Sequence, residues 1–107
     1  MSYIVVNVSY PSDIANKVVE KYFEVIGKYT PDESLAVPVV PDAVKMTTQG
    51  VKVISVSEVK KGKLEEALAH RAKIMAEFNP VKGYEYNIDV YFTVEEALAS
   101  MGMTLPK

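Results

Sequence analysis

The chain has 107 residues, 49% of them apolar and 24% charged, with a formal net charge of −2 at pH 7. These values indicate one globular domain over residues 1–107 and give no electrostatic reason to expect nucleic acid or an acidic membrane as a partner. Because there is no cysteine, disulfides, thiolate catalysis and cysteine-ligated metal sites are excluded. With no leader pattern and no segment as long as a membrane span, we expect a soluble, cytoplasmic protein.

The first predicted strand, residues 3–10, is apolar on both of its sides. Successive side chains alternate, with one set being Ile4, Val6 and Val8 and the other Tyr3 and Val5. A sheet covered on one side only should alternate apolar with polar residues. The pattern therefore predicts that something covers the second side of the sheet as well.

Two amphipathic helices are predicted. The first starts after Pro11, with Ser12 or Asp13 as a cap, and runs from Ile14 to Tyr29 with the apolar face Ile14, Val18, Tyr22, Val25 and Tyr29. The second, near residues 63–79, carries Leu64, Ala67, Leu68, Ile74, Met75 and Phe78 on one face. Both faces should pack on the same sheet.

Between the helices, residues 30–42 contain three prolines among apolar residues. Proline is excluded from helix interiors and central strands, so this segment is expected to be an edge segment or a lid. Residues 43–59 then form a predicted hairpin around Gln49-Gly50. A two-residue turn would pair Met46 with Val53 and a three-residue turn Val44 with Ile54, and the sequence leaves both registers open, together with the side on which Ser55 and Ser57 lie.

The last predicted strand, residues 84–92, alternates between an apolar set (Tyr86, Ile88, Val90 and Phe92) and a second set (Glu85, Asn87, Asp89 and Tyr91). A capping box at Thr93 with Glu96 opens a short C-terminal helix, which Gly102 can close. The predicted fold is α+β, with the order β-α-β-β-α-β, an antiparallel sheet and two helices on one face.

This order resembles the ferredoxin-like fold, with the first and third strands at the sheet centre. The doubly apolar first strand makes it resemble the dimeric α+β barrel superfamily in particular, in which two open sheets meet face to face. The resemblance implies a homodimer that packs sheet to sheet. That superfamily includes cofactor-free monooxygenases, isomerases, haem enzymes and proteins with no known chemistry, so the fold alone does not choose a function.

Polar residues on the side of the sheet away from the helices are the main candidates for a ligand site. They are Asn7, Asn87, Asp89 and Tyr91, with Asp89 as a possible catalytic base or hydrogen-bond acceptor. The alternative is that they are solvated or lie in a dimer seam. Arg71 interrupts the apolar face of the second helix and is either an anion-binding residue, the partner of a buried carboxylate, or a side chain that snorkels to water. The single histidine, His70, is expected on the solvated surface.

We therefore expect a homodimeric binding or interaction module with no cofactor and a small organic molecule as its possible ligand. One alternative is a cofactor-independent enzyme, monooxygenase- or isomerase-like, that acts on a small organic substrate between the sheets. The other is a metabolite sensor similar to ACT domains, although Pro11-Ser12 departs from the glycine-rich loop that such domains often have after the first strand.

Overall fold

A computed structural model describes residues 1–106. Four strands, β1 to β4, and three helices, α1 to α3, follow one another as β1 (Ser2–Tyr10), α1 (Ala15–Lys28), β2 (Ala36–Thr47), β3 (Gly50–Val59), α2 (Leu64–Ala76), β4 (Glu85–Phe92) and α3 (Val94–Ser100). A 3-10 turn at Ser12–Ile14 precedes α1. The predicted order of elements is confirmed.

The four strands form one antiparallel sheet in the order β2-β3-β1-β4. The most apolar strands, β1 and β3, occupy its centre as predicted, because central strands lose the most contact with water. The α+β class is thereby confirmed, and the arrangement is compatible with a ferredoxin-like order. Among residues 1–106, none of the helices combines the length and apolar character needed to span a membrane.

The main core lies on one side of the sheet, here called the helix side. Alternate residues of β1 meet residues of both long helices in this core, which contains Ile4, Val6, Val8, Val25, Val59, Ala67, Met75 and Phe78. On the other side, here called the open side, Val5 is only 8% exposed. Its partners on the flanking strands, Val56 and Asp89, lie beside it on the same side of the sheet. Single-chain packing therefore already shields the middle of β1.

Residues 36–42 of the proline-containing segment 30–42 belong to the edge strand β2, so the prediction of an edge segment is confirmed for that part. Its pairing with β3 shifts between Pro38 and Val40 and again between Val40 and Ala43. Each shift places an extra residue on β2, as in a β-bulge. Proline has no amide hydrogen to donate, and it is tolerated at bulges and edges because the hydrogen-bond ladder needs no donor there.

Both registers predicted for the hairpin are wrong. Val44 pairs with Val53, and Thr47 pairs with Gly50 across a two-residue turn at residues 48–49. The Thr47 hydroxyl stabilises this turn, because it donates to the Gly50 carbonyl oxygen at 2.7 Å and accepts from the Gln49 amide at 3.2 Å. In this register Ser55 and Ser57 share the helix side with Val53.

Of the two predicted N-terminal helix caps, the one at α1 is wrong and the one at α3 is confirmed. Neither Ser12 nor Asp13 caps α1 with its side chain, because the 3-10 turn comes first. At α3 the capping box is present: the Thr93 amide donates to Glu96 Oε1 at 2.9 Å, and the Glu96 amide donates to Thr93 Oγ1 at 3.1 Å.

The alternation of β4 is confirmed, but only its first half packs on the core. Tyr86 and Ile88 lie against the helix-side core. Val90 and Phe92 share their side of the strand but are 39% and 70% exposed. The side of the strand on which they lie was predicted correctly. The pattern did not indicate that the packed core ends before these two residues.

Candidate functional site

A cavity of about 490 Å³ lies on the helix side, between the sheet and the two long helices. Strands β1, β2 and β3 supply its floor, and α1 and α2 supply its walls. Most of its surface is apolar, including Val6, Val18, Val25 and Met75. A volume of this size is within the range of about 300–1,000 Å³ that small-molecule sites occupy.

Short side chains help to keep this space open. Ser55 and Ser57 of β3 and Ala67 of α2 all line the cavity, where Val, Ile or Leu would be expected in a filled core. Ser57 and Ala67 are themselves buried. The gap between the layers therefore follows from small residues at positions that face inward.

Among residues 1–106, Arg71 is the one arginine or lysine on the cavity wall. Its side chain is half-buried, and no carboxylate of residues 1–106 lies within ion-pair distance of it. Burial lowers the pKa of the Arg71 guanidinium, and the nearby charge of Asp42 partly reverses this effect. The helix pattern around Leu68 and Met75 explains why Arg71 faces inward.

Asp42 lines the same cavity from the edge strand. It follows Pro41 at the second pairing irregularity of β2, where two β2 residues stand opposite Ser55. Bulges of this kind redirect a side chain. Desolvation by the surrounding protein raises the pKa of the Asp42 carboxyl, and the Arg71 charge lowers it in part, although the side chain keeps contact with solvent. Asp42 therefore lies at the mouth of the cavity.

Aromatic residues close one end of the cavity. Tyr84 stacks on Phe78 with ring centroids 4.6 Å apart and on Tyr10 at 5.9 Å, each at an interplanar angle of 13°. Burial raises the pKa of the Tyr84 phenol well above its ordinary value, so the group stays neutral at physiological pH and can donate a hydrogen bond.

A polar contact links the two long helices beside the cavity. Glu77, just after α2, accepts a hydrogen bond from the Tyr29 hydroxyl at 2.8 Å and another from Lys28 Nζ at 3.0 Å. These two bonds lower the pKa of the Glu77 carboxyl. Because Tyr29 also lines the cavity, this contact fixes one part of the wall.

Four of the five residues predicted as a site lie on the open side of the sheet, and Arg71 lies on the other side. Asn7 and Asn87 are paired neighbours, and Asp89 is paired with Val5, as Tyr91 is with Tyr3, all on the open side. Of the predicted set, Arg71 alone lines the helix-side cavity. The sheet therefore separates Arg71 from the other candidates.

Two features of the cavity were missed from the sequence. His70 is half-buried and lines the cavity rather than the solvated surface. Asp42 is the other missed residue. Pro41-Asp42 in an edge segment is typical of a β-bulge, and an inward-facing Arg71 indicates a carboxylate nearby, so these two features together could have identified it. Within residues 1–106, no three His, Asp or Glu side chains are grouped so as to hold a metal ion.

Comparison with known proteins does not assign a family. No family profile matches this chain, and neither a curated protein nor a solved structure matches it. The cavity itself therefore gives the main indication of function.

Proposed function

We propose that this protein binds a small organic molecule in the helix-side cavity. The observation that carries the proposal is the cavity of about 490 Å³ between the layers. A ligand that enters this space removes apolar surface of the lining and of its own from water, which favours binding.

Polar groups at the cavity support binding rather than simple poor packing. Arg71, Asp42 and Ser55 are among the polar residues that line a largely apolar surface. Ligand sites combine an apolar lining with a few convergent polar groups that orient the bound molecule. Poor packing between apolar layers would not by itself account for these polar groups in the lining.

A neutral fluorescent probe tests this proposal directly. N-phenyl-1-naphthylamine should bind the wild-type chain with increased fluorescence, and Ala67→Phe should abolish the increase because the ring occupies the cavity. Ala69→Phe is the matched control, since Ala69 lies on the exposed face of the same helix. Ser55→Ile provides a second filling variant if Ala67→Phe does not fold. Probe binding that is unaffected by both filling variants, or absent in the wild type, would rule out the proposal.

A second candidate function is cofactor-independent catalysis on the bound molecule. Its support is Asp42, whose raised pKa and position at the cavity suit a general base near neutral pH better than an ordinary aspartate does. Asp42→Asn should then abolish turnover of a bound substrate and leave probe binding intact. Equal turnover by wild type and Asp42→Asn would exclude Asp42 as the base.

We further propose that the fold is ferredoxin-like and that two copies pack through their open sides. Ile54 and Tyr91 on that side are 39% and 56% exposed. The radius of gyration of 15.8 Å also exceeds the roughly 13 Å typical of a compact chain of this length. Together these features support a second copy as the cover.

Sedimentation at micromolar concentration tests the dimer. Ile54→Glu should yield monomers, because two charges would be buried in the shared seam. Met46→Glu is the control, since Met46 is exposed on the other side of the sheet. A monomeric wild type would refute the proposal for the dimer without affecting the proposal for the cavity.

A further inference from the structure

Two oppositely charged groups of the cavity, Arg71 and Asp42, are not directly paired. Arg71 and Asp42 line one cavity, and each shifts the pKa of the other. No ion pair joins them among the contacts of residues 1–106. Opposite charges that share a partly desolvated space would ordinarily be expected to close into a bidentate pair. Both groups are therefore available to a ligand in the cavity of about 490 Å³ that they line.

The other acidic group at the cavity is already occupied. Asp32 accepts hydrogen bonds from the Ser34 amide at 3.0 Å and from the Ser34 hydroxyl. These bonds lower the pKa of the Asp32 carboxyl, so it remains an anion within its own turn. Asp42 makes no side-chain hydrogen bond of this kind within residues 1–106 and is the acidic group that a ligand can reach.

Charge balance narrows the class of ligand. Among residues 1–106, the cavity offers a phosphate or nucleotide one arginine, one histidine and two carboxylates, and repulsion by Asp32 and Asp42 would oppose its binding. A simple carboxylate would satisfy Arg71 but face Asp42, and a simple amine would satisfy Asp42 but face Arg71. A molecule that carries both charges and an apolar group satisfies both residues and the apolar walls.

We propose that the ligand is an α-amino acid with an apolar side chain, its carboxylate at Arg71 and its ammonium at Asp42. This inference rests on the proposed binding function of the cavity. The apolar side chain packs among Val18, Val25 and Met75, which line the same space. A guanidinium suits this role because its planar fork matches the two carboxylate oxygens.

Displacement of N-phenyl-1-naphthylamine tests the ligand class. L-leucine, L-isoleucine, L-methionine, L-phenylalanine, L-tyrosine and L-tryptophan are titrated against the wild-type complex, and at least one should displace the probe. For phenylalanine, the matched compounds are 3-phenylpropanoate, which lacks the ammonium, and 2-phenylethylamine, which lacks the carboxylate. The best amino acid should bind about tenfold to a hundredfold more tightly than its own two analogues, the range expected from one lost charged hydrogen bond.

Two variants assign the charges. Arg71→Met should remove the advantage of the amino acid over the amine, and Asp42→Asn should remove its advantage over the acid. Lys73→Met and Asp13→Asn are controls at exposed positions away from the cavity and should leave the affinities unchanged.

Each outcome has a separate meaning. If the probe binds but no amino acid displaces it, or if either analogue binds as tightly as the amino acid, the inference is wrong and the binding function stands. The inference is also wrong if the two variants leave both preferences intact. If the probe itself fails to bind the wild type, the proposed function fails first.

Discussion

Replacing Arg71 with methionine should stabilise the unliganded protein. The guanidinium is half-buried at the cavity with no direct ion pair among residues 1–106, so folding desolvates it without full compensation. Well-packed apolar replacements of buried ionic groups are often neutral or stabilising by about 1–4 kcal/mol. Because Arg71 is only partly buried and Asp42 offsets part of the penalty, we expect the lower end, about 1 kcal/mol.

A gain of about 1 kcal/mol corresponds to a rise of about 4–8 °C in Tm for a domain of this size. The gain should be largest at acid pH. Asp42 has a raised pKa in the folded protein, so its charge costs stability once the pH rises through that pKa. Removing Arg71 raises that pKa further, and the added cost offsets part of the gain near neutral pH.

Thermal and urea unfolding followed by circular dichroism measure this effect. Wild type, Arg71→Met and the exposed control Lys73→Met are compared at a single protein concentration, because self-association would shift the midpoint. The control should stay within about 0.5 kcal/mol of wild type. A loss of about 2 kcal/mol or more in Arg71→Met alone would refute the reasoning, since Arg71 would then make a stabilising contact rather than remain available for a ligand.

Three further predictions concern the framework around the cavity. Gly50→Ala should lower the free energy of unfolding by more than about 2 kcal/mol, because φ of Gly50 is +129° and a Cβ would clash with the Tyr10 carbonyl oxygen. Gly62→Ala is the control: φ of Gly62 is +76° but the space around it is open, so the loss in the same urea series should be about 1 kcal/mol. Thr93→Ala should cost about 1 kcal/mol by removing the capping box and should speed amide exchange in α3 alone; unchanged exchange would contradict this. Glu77→Gln should make the free energy of unfolding less dependent on pH below pH 4.5. The hydrogen-bonded Glu77 carboxyl has a lowered pKa in the folded protein, so it stabilises the fold above its unfolded-state pKa and loses that contribution as the pH falls through its folded-state pKa. Parallel pH curves of wild type and variant would exclude this role.

Local patterns were sufficient for the elements and their order. The period-two alternation in β1 and β4, the helical spacing around Val18 and Val25, and the Thr93 capping box depend on residues close together in the chain. The hairpin register was predicted wrongly because turn length alone does not fix it, whereas the observed turn is stabilised by two hydrogen bonds of the Thr47 hydroxyl.

The candidate site was predicted only at Arg71. A charge within an apolar helix face is visible in sequence, but the partner across the cavity is not, because Asp42 reaches that position through a bulge in a proline-containing edge strand. The position of His70 was predicted wrongly for a related reason: helix spacing indicates which residues share a face, but not how far the buried part of that face extends, and His70 lies within it.

By itself, the sequence determined the α+β class, the four strands and three helices, and the central positions of the two most apolar strands, because these follow from local spacing and from the free energy of burying apolar side chains. Only the tertiary structure decided that the space lies between the helices and the sheet, and that Asp42 and Arg71 share it. The width of a cavity depends on the side chains on both of its walls, and Ser57 and Ala67 come to line one cavity only after the chain has folded.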